Sequence, residues 1–126
     1  MILRPARWLT AAGAIWMLAF IAWLPFEDTE TWTALLLAAA ACIWLGLRRL
    51  VTRESSSLWS NLAAGGLMGA ATPLLAITLM GIKSGLHAHG FADFTARQVW
   101  EVLNLIPIGA IIGLVVGLGI SAAKTR

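Results

Sequence analysis

Four long apolar stretches divide the chain, at about 8–24, 31–47, 62–82 and 102–123, with short polar segments between them. No Asp, Glu, Lys, Arg or His falls inside any of the four. A bilayer core is crossed by a helix of about 20 apolar residues. A charge at its centre costs at least about 2.5 kcal/mol on the mildest scale. The pattern therefore predicts four membrane-spanning helices in a single domain over residues 1–126, an all-α integral membrane four-helix bundle.

Composition narrows the class. The 126 residues are 60% hydrophobic and 12% charged, with a mean hydropathy of +0.84. Soluble domains carry roughly 25% charged and about 45–50% apolar residues. A water-soluble enzyme and a nucleic-acid module are both excluded on this ground. The single cysteine, Cys42, excludes an intrachain disulfide, a redox cysteine pair and a cysteine zinc cluster.

The positions of the charges predict an orientation. With the N-terminus inside, four crossings return the C-terminus to the same side. Arg4, Arg7, Arg48, Arg49, Arg53, Lys124 and Arg126 are then cytoplasmic, seven of the nine basic residues, and Lys83 and Arg97 lie outside. Glu27, Asp28, Glu30, Asp93 and Glu101 also fall outside, with Glu54 alone within. Short loops rich in Lys and Arg stay in the cytoplasm, so the expectation is N-in, C-in in a bacterial plasma (inner) membrane. The first run has no small-residue cleavage site before Pro25 and reads as a retained signal anchor. Trp8 and Trp59 fall at the cytoplasmic boundary and Trp23, Trp32 and Trp100 at the outer one, as an aromatic belt. Trp16 and Trp44 sit deeper, which suits packing or lipid contact, with pigment or quinone contact as the sharper alternative.

Membrane helices are held together largely by close approach through small residues. Gly109, Gly113, Gly117 and Ser121 recur every four residues in the last span; Gly65 and Gly69 do so in the third, beside Gly66 and Ala70. Ala34, Ala38, Cys42 and Gly46 form a similar stripe in the second. These stripes predict packing inside the bundle or against another subunit. Pro73, midway along the third span, predicts a kink, with Thr72 or Thr78 available to satisfy the freed backbone group.

Chemistry concentrates in the outer segment from Lys83 to Thr95, 13 residues long. Gly85 and Gly90 permit tight turns there. Thr95 with Gln98 three positions on fits a capping box, and Phe94 with Val99 fits a hydrophobic staple, so a helix is expected from Ala96. Its first turns set Val99, Trp100, Leu103 and Ile106 against Arg97, Gln98, Glu101 and Asn104. That suits a short interfacial amphipathic helix bending at Pro107 into the last span. The two histidines of the chain, His87 and His89, lie in this loop with Asp93 nearby. They form a partial ligand set for a divalent metal, and one imidazole suffices as an axial ligand to haem or chlorophyll. The plainer reading has both histidines meeting water, headgroups or backbone, or contributing to a partner-contact loop. Arg48, Arg49 and Arg53, before Ser55, Ser56 and Ser57, are expected to meet lipid headgroups.

The stretch Lys83-Ser-Gly-Leu-His-Ala-His-Gly, followed by Asp-Phe-Thr, resembles a loop in small uncharacterised membrane proteins of cyanobacteria. The resemblance covers about a tenth of the chain and implies a thylakoid or plasma membrane and a photosynthetic or respiratory partner. No catalytic set is present: there is no Ser/His/Asp constellation, phosphate loop or HExxH, and no carboxylate lies in a span to carry protons. The leading expectation is a non-catalytic accessory subunit or assembly factor of a larger membrane complex, associating with other membrane subunits or with itself. The alternatives are a haem-, pigment- or metal-binding protein using His87 or His89, and a small permeation protein.

Overall fold

The computed structural model describes residues 7–26, 30–53, 57–86 and 94–124. Every regular element among them is an α-helix: α1 (Arg7–Trp23), α2 (Thr31–Thr52), α3 (Leu58–Leu86), α4 (Ala96–Leu103) and α5 (Ile106–Lys124). Three stretches are long and apolar enough to cross a membrane: α2, α3, and α4 together with α5. At 17 residues α1 is apolar but shorter, roughly 26 Å at 1.5 Å per residue. Length and composition thus support three of the four expected crossings.

Most helix boundaries lie beyond the apolar runs. α2 continues through Arg48 and Arg49 to Thr52, and the Arg53 amide closes it on the Arg49 carbonyl at 3.1 Å. α3 reaches from Leu58 to Leu86, past 62–82 at both ends. Hydropathy marks the part of a helix suited to lipid, and polar residues extend the same helix toward water. The last span instead starts later than 102. Val102 belongs to α4, and the chain turns at Asn104 and Leu105 rather than at Pro107. Pro107 sits in the first turn of α5, where its missing N–H would have had no intrahelical partner anyway. Pro107 therefore helps to start α5.

α3 is the hub. α5 and α2 both pack against it, α4 covers its C-terminal end, and α1 leans on α2. The main contacts run in a row, α1–α2–α3–α5, instead of closing a four-cornered bundle. Successive helices in the row are antiparallel, as the contacts between α1 and α2 illustrate. There the Trp16 indole donates to the Leu37 carbonyl at 2.8 Å, and the Trp44 indole donates to the Leu9 carbonyl at 2.7 Å. A helix carbonyl keeps a second lone pair after its own i+4 bond, so an indole can be satisfied where water is absent. Gly13 makes room for the Trp44 ring; a methyl group there would meet the ring at 3.0 Å.

The α3–α5 seam brings two backbones into contact. A Cβ on Gly65 would land on the Gly113 carbonyl oxygen, and one on Gly69 on that of Gly109. The relation is reciprocal, since Gly113 and Gly109 face the Gly65 and Gly69 carbonyls in turn, while Gly117 faces that of Asn61. With glycine at these positions, Cα–H groups of each helix approach carbonyl oxygens of the other. Pro73 adds to this arrangement. Lacking an N–H, it leaves the Gly69 carbonyl without its usual i+4 donor, and that carbonyl is the one Gly109 approaches. The threonine hydroxyls do not serve it: Thr72 donates to Met68 and Thr78 to Leu74.

The apolar core lies at the helix ends opposite Arg48 and Arg49. Trp23, Ala34, Ala38, Ala76, Leu79, Met80, Phe94 and Val102 form one buried cluster there. Outside it the surface is oily, with Ile15, Leu36, Ile43, Leu67, Ile111 and Val115 among many large exposed side chains. Such coverage suits lipid, since soluble monomers rarely expose apolar patches beyond a few hundred Å².

Candidate functional site

The described residues offer two polar features inside an otherwise apolar framework. The first is Lys83 on α3. Expected in an outer loop, it is fully buried, at 0% exposure, and its ammonium lies 4.1 Å from the centroid of the Trp23 ring. Trp23 is 6% exposed and so does not serve as the belt residue it was expected to be. Its ring face takes the cation in place of water. The expectation of an interior without ionisable groups is corrected accordingly.

The second feature joins α2, α3 and α5 at the arginine-rich end. Arg49 is half-buried and donates to the Ser60 carbonyl at 3.2 Å, to the Ser60 hydroxyl, and to Asn61 Oδ1 at 3.4 Å. Asn61, itself buried, donates through Nδ2 to the Ser121 hydroxyl at 2.9 Å. Both ends of the Asn61 amide are therefore satisfied across helix boundaries. The neighbouring arginines differ: Arg48 is exposed, its guanidinium 5.6 Å from the Trp44 ring centroid, and Arg53 is exposed beyond the helix end.

Above this network α2 and α5 stand apart on α3 and leave a groove of about 540 Å³. Ile43, Gly46, Met68, Ile112 and Val116 are among its apolar walls, and Arg49 and Asn61 are its polar lining residues at one end. The glycines of the α3–α5 seam line the groove as well. A space of this kind is suited to an elongated apolar molecule with a polar terminus.

No protein-family model matches the chain, and no curated protein or solved structure matches it either.

His87, His89 and Asp93 lie outside the described residues. Among the described residues no three of His, Cys, Asp and Glu come together. The capping box at the start of α4 is present: the Gln98 amide donates to the Thr95 hydroxyl at 3.2 Å, and the Thr95 amide to Gln98 Oε1 at 2.8 Å. Phe94 is buried, with Val99 packed against its cluster. The amphipathic face of α4 is rotated from expectation, with Val102 buried and Trp100 exposed. The counterion of Arg97 is Glu101, one turn on, at 3.0 Å. Sequence reasoning missed the depth of Lys83 and the inward turn of Arg49. A cation next to an apolar run carries no mark of the distant ring or amide that receives it. The indole bonds of Trp16 and Trp44 did leave a signal, because an N–H deep in an apolar span has few acceptors other than backbone carbonyls.

Proposed function

We propose that the protein is a non-catalytic integral membrane protein, an accessory subunit or assembly factor of a larger membrane complex. One observation carries the reading: five polar side chains within the apolar spans or at their ends bond from one helix to another. Trp16, Trp44, Asn61, Ser121 and Arg49 each bond across a helix boundary. The resulting framework is closely packed along α3 and α5. It presents the outer face of α5, with Ile108, Ile111, Val115 and Leu118, as an apolar ridge for another membrane subunit or a second copy.

In this reading α1 is the fourth crossing, its 17 residues accommodated by local thinning of the bilayer. The arginine-rich ends face the cytoplasm of a bacterial inner membrane or the equivalent side of a thylakoid. Purification from native membranes in a mild detergent, with chemical crosslinking beforehand, tests the proposal. The expected product is a complex containing other membrane polypeptides or several copies of the chain. Recovery of an uncrosslinked solitary monomer overturns it. A reporter fused after Arg126 tests the orientation and is expected to be active only in the cytoplasm.

A further inference from the structure

We propose that the groove between α2 and α5 is a lipid site. It holds one hydrocarbon chain of an anionic phospholipid whose headgroup phosphate meets Arg49. Its lining runs along α2 from Leu35 to Leu50, about 22 Å at 1.5 Å per residue, enough for one extended hydrocarbon chain, and its polar lining at one end is an arginine beside an amide. The hydroxyl of Thr72, which also lines it, is turned back to the Met68 carbonyl.

Charge selects the headgroup. The hydrogen bonds of Arg49 go to neutral acceptors, on Ser60 and Asn61, and no carboxylate among the described residues pairs with it. Arg48 and Arg53 beside it carry the same sign. A half-buried cation at the mouth of an apolar groove is complemented by an anion attached to hydrocarbon.

The glycines supply a test that leaves the seam intact. A Cβ on Gly46 has Met68 Sδ as its nearest neighbour at 3.5 Å, an ordinary contact, and Gly46 lines the groove. The backbone therefore accepts a side chain at Gly46, and Gly46→Leu extends one toward the space where the lipid chain would lie. Gly119 has nothing within 4 Å and lies outside the groove, so Gly119→Leu is the control.

Native mass spectrometry of the full chain in detergent, with equal amounts of phosphatidylglycerol and phosphatidylcholine of identical chains, gives the readout. The wild type is expected to retain one lipid per chain, with about a fivefold preference for phosphatidylglycerol, the effect of one basic residue at a membrane surface. Gly46→Leu is expected to lose the lipid while still unfolding cooperatively, and Gly119→Leu to keep it. Arg49→Gln is expected to keep a lipid without headgroup preference, while Arg49→Lys retains the preference and guards against a folding defect. Equal retention of both lipids by the wild type overturns the proposal. So does retention by Gly46→Leu, or a copurifying polypeptide that Gly46→Leu displaces in place of lipid.

Discussion

The Lys83 ammonium lies 4.1 Å from the centre of the Trp23 indole, coupling the far end of α3 to the last residue of α1. A desolvated cation over an indole face is worth about 2 kcal/mol or more. In a double-mutant cycle of Lys83→Met and Trp23→Leu, we expect a coupling energy of about 2 kcal/mol, measured from unfolding midpoints in mixed micelles. Lys83 makes further interactions, so the single Lys83→Met variant is expected to lose more than the coupling alone. A coupling near zero would show that the ring merely lies beside the cation.

The α3–α5 seam predicts a sharp contrast among glycines. Gly69→Ala and Gly113→Ala drive a methyl group onto a facing carbonyl and force the backbones apart. Each is expected to cost at least about 1–3 kcal/mol, the usual range for overpacking, with Gly113→Leu failing to assemble. Gly81→Ala and Gly119→Ala meet open space, and should be neutral or raise the melting temperature. Melting curves of the four alanine variants beside the wild type, in one detergent, check the contrast.

Two indole bonds attach α1 to α2, and phenylalanine removes each without removing the ring. Trp16→Phe and Trp44→Phe are each expected to destabilise by about 0.6 kcal/mol, up to about 1.7, as for other interhelical bonds in membranes. The double variant should free α1 selectively. Limited proteolysis is expected to cut near residues 24–26 first, while the α3–α5 pair stays protected.

The cap on α4 can be removed without touching the spans. Thr95→Ala deletes the acceptor for the Gln98 amide and is expected to cost about 1 kcal/mol, confined to α4. Hydrogen exchange should quicken at 97–99 and remain unchanged in α5. Arg97→Ala, which breaks an exposed pair with Glu101, is expected to change stability by less than about 0.5 kcal/mol.

Local rules made much of this legible. The capping box announced α4 to the residue because both partners lie within four positions, and the four-residue stripes named the glycines that meet across the α3–α5 seam. Relations between distant segments were opaque. Nothing adjacent to Lys83 announces Trp23, sixty residues earlier, as its cover. Arg49 reads like Arg48, yet one step of about 100° around the helix turns it from the surface toward Asn61. The turn at Asn104 was legible in principle, since a proline in a first turn begins a helix as readily as it breaks one. The row-like order of the helices was not, because apolar periodicity tells which side of a helix is small but not which neighbour receives it.

The seam between α3 and α5 also governs how this chain can change over generations. Its lipid-facing ridges can trade leucine for isoleucine or valine for methionine at little loss. At Gly65, Gly69, Gly109, Gly113 and Gly117 anything larger than hydrogen strikes a carbonyl. Descendants of this protein should therefore drift freely in the identity of their oily residues while keeping the interval between their glycines, a kinship written in spacing.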